Sequence, residues 1–378
     1  MHTHDTSSSR RTFLKTTGAA IGVASLGGCL GGGDDGDGGT RGSADGELEE
    51  SLNIFQWGDY WPDGFVQGFE DEYDVDVNVS NYSSNEEMFN KLRGGDLDQY
   101  DLLFPSDYMV NVMHEQDMIS PLDVDSLENF GNLADQFEEA PYDPGDERYS
   151  VPYQWGTSGI GWNEEVTGEI EVTSWETMWD EEFEGQMTML DDMRETIGAA
   201  LKSLGYSLNT TEESEVEEAK DLLIEQKDLL ATYDSSNFKT SLINEENSPV
   251  HGWSGDVFAA LWETYDDEDE SSPVNYAIPE EGGVVWVDTA VVSAEAQSPN
   301  AAHVFIDHFL DAENGAEITN YTYYGSPNEA AEEHISEEIL EDESIYPDDE
   351  TMERLEYIEN IGDATTMYDE AWTEIQNA

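Results

Sequence analysis

From Leu52 onward the chain switches between two periods of apolar spacing. Short apolar runs, some strictly alternating, predict strands at 52–57, 75–79, 100–105 (YDLLFP), 187–190, 250–253 and 282–292. Between them, apolar residues return at helical spacing. One helix is predicted over 62–73, with Phe65, Val66 and Phe69 on one side, and a second opens at the capping box Ser84-x-x-Glu87 with Met88, Phe89 and Leu92 inward. A third starts at 173–179. Thr210-x-x-Glu213 should cap a long amphipathic helix running through Leu230, whose acids form a solvated face. Ser254 or Asp256 should cap a helix at 257–262, and Ser298-Pro299 should open another with Pro in its first turn. Residues 150–163 (SVPYQWGTSGIGWN) read as two short strands around a Gly-rich crossing, 321–328 as a turn, and the C-terminus as two acidic helices. Strand and helix alternate, which argues for an α/β fold with a mainly parallel sheet, and such sheets take ligands at the carboxyl ends of their strands.

The segment 282–292, GGVVWVDTAVV, places one charged residue inside an otherwise buried strand. Side chains alternate faces, so Val284, Trp286 and Asp288 share one face and Val285, Val287 and Thr289 the other. Burying Asp288 unpaired would cost several kcal/mol, so either the strand end is wet or a cation sits against it. Other strand ends carry similar equipment. The first strand leads into Trp57-Gly58-Asp59-Tyr60-Trp61-Pro62, YDLLFP into Ser106-Asp107-Tyr108, and 250–253 ends in Trp253. Asp192 and Glu195 lie three apart at a helix start and can share a face, although acids in a first turn also favour the helix dipole by themselves.

Composition narrows the setting. The 378 residues suffice for two domains, and 13 Lys+Arg against 88 Asp+Glu give a formal charge of −75, which makes nucleic acid and anionic lipid poor partners. Yet 11% aromatic residues and 10 Trp indicate a folded chain and not an acidic tail. A halophilic protein fits best, because a screening length of about 3 Å at 1 M salt tames the repulsion between surface acids. Under such screening an exposed acid cannot select a cation, whereas a desolvated one can. The single Cys29 excludes a disulfide framework. Ser9-Arg10-Arg11-Thr12-Phe13-Leu14-Lys15 matches a twin-arginine export signal, a weakly apolar run at 16–26 follows, and Leu26-Gly27-Gly28-Cys29 looks like a lipobox, so residues 1–29 are expected to be a signal peptide with Cys29 lipidated. Residues 30–50, with GGGDDGDGG, are expected to be a flexible tether, and the acidic run 266–270 a loop.

Catalytic equipment is missing from the sequence. There is no P-loop, no GxGxxG after a strand, no GxSxG and no HExxH; His303 and His308 read as ordinary helix residues. No enzyme and no cofactor are expected. The residues leave a binding site without catalytic equipment as the first reading; ferric iron (through Tyr323 and Tyr324) or a Trp-stacked sugar are candidate ligands, and an exported hydrolase or an adhesion protein are the competitors.

The ordered blocks FQWGDYWPDGF, SNEEMFNKL, YDLLFPSDYMV, YSVPYQWGTSGIGWN, LDDMRETIGAALKSLGYS, EEGGVVWVDTAVV, YGSPNEA and IYPDDET resemble the spermidine/putrescine-binding proteins of polyamine ABC transporters over nearly the whole chain from Leu52 to Trp372. The resemblance implies a two-domain periplasmic-binding-protein fold (type II), whose domains close over the ligand by hinge motion. The first domain would comprise 51–157 plus 287–332 and the second 158–286 plus 333–378, with crossings near Thr157 and Val287. It implies aromatic walls from Trp57, Tyr60, Trp253 and Trp286, ammonium-holding carboxylates Asp192, Glu195 and Asp288, and polar contacts from Ser106, Tyr108, Ser235 and Tyr324, with Asp59 where the family keeps an acid. Gly58 departs from a family hydroxyl, and Ile358, beside Glu359, stands where the family has Gln. The implied partners are a polyamine and a permease with its ATPase. The chain would act as an exported monomer, lipid-anchored at the outer face of the cytoplasmic membrane.

Overall fold

The computed structural model describes residues 42–138, 142–143, 147–266 and 271–378. The signal segment, Cys29, the tether up to residue 41 and residues 267–270 of the acidic run lie outside the described residues. Described residues 42–50 pack on the body: Ala44 and Leu48 lie against the core, Ser43 N–H donates to Asn300 Oδ1 at 3.0 Å, and Ala44 N–H donates to Ser126 Oγ at 3.0 Å. The folded part therefore begins before Ser51.

Eleven strands are present among the described residues: β1 (Ser51–Gln56), β2 (Asp76–Asn81), β3 (Leu102–Leu103), β4 (Ile119–Ser120), β5 (Ser150–Asn163), β6 (Met187–Met189), β7 (Leu230–Tyr233), β8 (Val250–Trp253), β9 (Val274–Ala277), β10 (Val284–Ser293) and β11 (Glu356–Tyr357). They join in the order β2-β1-β3-β10-β5-β8-β6-β7, with β4 and β11 on β10 and β9 on β5. Parallel pairing holds β1 to β2 and β3 on one side and β6 to β7 and β8 on the other. The antiparallel pair β5–β10 splices the two parallel blocks. Each block carries its own helices and cores, so the molecule has two lobes. Leu52, Ile54, Phe69, Phe104 and Phe305 fill one core of the first lobe; Ile197, Leu201, Leu223 and Tyr368 fill one of the second.

β5 is one strand of 14 residues, buried along its whole length, and not two short ones. Its glycines make this possible: a Cβ at Gly159 would lie 2.4 Å from the Ala277 carbonyl, and one at Gly161 2.8 Å from Val257. Two further expectations shift. The first helix starts at Phe65, because Gly64 adopts a left-handed φ of 91° and holds the Trp61–Gly64 segment as a turn. The helix expected to reach Leu230 is Glu213–Gln226, and Leu230 opens β7, paired to β6. Thr210 does not cap it; its hydroxyl accepts from Glu212 N–H in the preceding turn. The Ser84 cap holds: its Oγ accepts from Glu87 N–H at 3.1 Å, while the Glu87 carboxylate reaches back to Ser83 N–H rather than to Ser84.

Candidate functional site

Between the lobes, around the β5–β10 splice, lies a cleft of about 850 Å³. Trp57, Asp59, Tyr60, Ser106, Tyr108, Asp192, Glu195, Ser235, Trp253, Trp286, Asp288 and Tyr324 all line it, as do Gly58 and Ile358. These residues come from β8, β10 and the loops and helix starts that follow strands, Trp57 to Tyr60 directly after β1, as strand-end geometry requires.

The indoles are walls. Trp57 meets Trp253 edge-on across the cleft at 5.9 Å between ring centroids, and Trp286 meets Tyr324 at 5.0 Å. Glycines let the rings lie on the backbone: a Cβ at Gly156 would sit 2.8 Å from Trp286, and one at Gly255 2.6 Å from Tyr324. The Tyr60 ring stacks on Tyr153, whose hydroxyl donates to the Tyr60 carbonyl at 2.5 Å. This anchors the turn in which Asp59 takes a left-handed φ of 53°.

Two groups of acids lie deep in the cleft. Asp288 accepts from the Tyr60 hydroxyl, from Ser106 Oγ at 2.8 Å and from Gln154 Nε2 at 3.5 Å. Burial pushes its carboxyl up to about 6, against the lowering effect of those donors. Ser106 is itself fixed by Asn85, which donates to its hydroxyl and accepts from its N–H. In the second lobe, Glu195 Oε1 accepts from Ser158 Oγ at 2.9 Å and Trp253 Nε1 at 3.2 Å, while Oε2 has no hydrogen-bond partner among the described residues. Burial, then the neighbouring Asp192, push the Glu195 carboxyl up to about 8. His251, 3.9 Å from Glu195 Oε2, is driven down to about 3 by burial and supplies no neutralising charge near pH 7. Asp192 is the N-cap of the helix Met193–Ser203, accepting from Arg194 and Glu195 N–H at 3.0 and 3.1 Å, and is also raised by burial. It therefore caps the helix and also lines the cleft. Burial raises these carboxyls even though Arg194 lowers Glu195 and Asp192, and a cationic ligand beside them would favour their ionised form.

Several groups at or beside the cleft escape sequence reasoning. Glu86, which accepts from Tyr108 Oη at 3.1 Å, is pushed up to about 7 by burial and by Asp192 from the other lobe. It stands inside a stretch read as helix cap. Neither Ser254 nor Asp256 caps the helix Ser254–Glu263: Ser254 Oγ accepts from Thr157 N–H, and Asp256 accepts from Tyr324 Oη at 2.7 Å. Lys239 Nζ lies 3.0 Å from Asp256 and 3.4 Å from Asp59. Burial opposes its charge, but Asp256 and then Asp59 outweigh this and hold its pKa above the usual value. Asp59 is the most exposed of the expected acids, its side chain 77% accessible. Tyr323 packs on Phe258 while Tyr324 turns to Trp286, and burial pushes both phenols up, the reverse of what a ferric tyrosinate site needs.

Two α/β lobes spliced by crossing strands, with an aromatic and acidic cleft between them, define a type II binding protein of the kind that captures solutes outside the cell. The family profile described as bacterial extracellular solute-binding protein matches residues 64–347, and the chain belongs to that family of binding proteins, not to the enzymes. It is 33% identical over 327 residues to the spermidine/putrescine-binding periplasmic protein of Salmonella typhimurium, covering 86% of this chain and 92% of that one. It is 31% identical over 342 residues to the putrescine/cadaverine-binding protein of Pseudomonas aeruginosa, covering 89% and 96%. Among solved structures, the spermidine/putrescine ABC transporter substrate-binding protein PotD of Streptococcus pneumoniae matches with a TM-score of 0.70 at 30% identity, covering 87% of this chain and 99% of that one.

Proposed function

We propose that this protein captures a polyamine outside the cell and delivers it to an ABC transporter permease with its ATPase. The observation that carries this reading is the pairing, in one cleft, of buried acids, their carboxyls raised by desolvation, with indole faces. A polyamine is a row of ammonium groups separated by methylenes. Asp288 would take one end, Glu195 and Asp192 the other, while Trp57, Trp253 and Trp286 cover the alkyl chain and Tyr60, Ser106, Tyr108, Ser235 and Tyr324 complete the polar rim. Cation–π contacts contribute roughly 0.5–2 kcal/mol each and charge-assisted hydrogen bonds about 1.5–3 kcal/mol. A few of each, after ordering costs, reach the roughly −8 kcal/mol of micromolar binding. The bodies that close are 51–157 plus 287–332 and 158–286 plus 333–378, hinged where β5 and β10 cross.

The twin-arginine motif and lipobox support export and lipid anchoring at Cys29, which would hold the receptor beside its permease; the charge of −75 supports a salty medium. Thermal melts of the purified protein with putrescine, spermidine, arginine, glucose and ferric citrate test the ligand class. The reading predicts a rise in Tm with a polyamine and none with glucose or iron. A rise with glucose or iron and not with polyamines would overturn it.

A further inference from the structure

The cleft that gathers acids for a cation also holds a cation of the protein's own. Lysine and arginine number 13 in 378 residues, yet Lys239 directs its ammonium into this space. It lies 3.0 Å from Asp256 Oδ1, whose other oxygen accepts from Tyr324 Oη at 2.7 Å, and 3.4 Å from Asp59 Oδ2. Lys239 and Asp256 belong to the second lobe and Asp59 to the first, so the contact crosses the cleft.

A lysine side chain is an aminobutyl arm, four methylenes ending in an ammonium, which is also the terminal arm of a polyamine. Asp256 is half-buried, whereas Glu87 and Glu263, also on the cleft wall, are exposed and screened. Lys239 thus fills from within the carboxylate position that a third ammonium would otherwise take. Two deep positions remain open, Asp288 in one lobe and Glu195 with Asp192 in the other. A diamine satisfies both. A triamine must bring its extra ammonium toward that of Lys239 in the same cleft, where the two like charges repel.

We propose that Lys239 is a specificity-determining residue that occupies the Asp256–Asp59 position as a tethered ammonium and so selects diamines over triamines. The inference rests on the polyamine reading above. Competitive titration of the purified protein with putrescine, cadaverine and spermidine tests it, comparing the unsubstituted chain with Lys239→Met, Lys239→Gln and Lys239→Arg, each checked for folding by thermal melt. The unsubstituted protein is expected to bind putrescine at least about tenfold more tightly than spermidine. Both neutral variants should raise the spermidine-to-putrescine affinity ratio about tenfold, and Lys239→Arg should retain the original ratio. A preference for spermidine in the unsubstituted chain, or a ratio unmoved by either neutral variant, overturns the role of Lys239 while leaving the polyamine reading intact. Binding of neither class by the unsubstituted protein overturns both.

Discussion

Asp288 shows at the scale of one residue how a strand can hold a buried acid at a cleft. Its oxygens are satisfied by hydroxyl and amide donors, yet its pKa stays raised because neutral donors do not repay desolvation. Replacement by Asn keeps the shape and removes the charge. Asp288→Asn is therefore expected to weaken polyamine binding by at least about tenfold while shifting Tm by no more than about 2 °C, as titration and a thermal melt will show. Equal binding by the variant would remove Asp288 from the site. Residues of this kind were legible in the sequence, since strand parity alone puts Trp286 and Asp288 on one face. Lys239, Asp256 and Glu86 were not: the two acids sit in helical first turns, where the dipole suffices to explain them, Lys239 reads as a solvated lysine, and the partners of all three lie elsewhere in the chain.

Among the elements, the helix Met193–Ser203 couples stability to the site. Asp192 caps its N-terminus and also faces the cleft, so its two roles separate by substitution. Asp192→Asn retains a capping oxygen and should melt close to the parent; Asp192→Ala should lose about 1 kcal/mol. Both should weaken polyamine binding, because both remove the charge. Unaltered affinity in both would reduce Asp192 to a cap. Element types read well where the chain carries a clear signal, as in the apolar run of β1 and the Ser298-Pro299 start of the helix Pro299–Leu310. β5 read poorly because both its faces are covered and its glycines interrupt the apolar run. The Leu230 strand was absorbed into the preceding helix because a short apolar segment carries no period of its own.

At the scale of the whole molecule, two lobes and a splice turn an acidic surface into a selective one. Molar salt would screen the exposed acids, Asp59, Glu87 and Glu263 of the cleft among them, whereas Asp192, Glu195 and Asp288 are buried. The resemblance gave the architecture and the expected residues of one cleft, whereas the contact of Lys239 with Asp59 and the influence of Asp192 on Glu86 depend on how the lobes meet and have no signature in the chain. The raised cleft acids also set a pH dependence. Carboxyls with folded pKa values of about 6 and about 8 against about 4 when unfolded favour the free fold while protonated, and that contribution fades as pH rises through those values. A polyamine keeps its protons over this range and needs the acids ionised, so its affinity should rise as the free protein's stability declines. Calorimetric titration with putrescine in molar salt, at pH 8 and again at pH 5, tests the central claim most directly. Saturable binding near the micromolar range at pH 8, weakened at least about tenfold at pH 5, is the expected result; no saturable heat with putrescine or spermidine at pH 8 would contradict it.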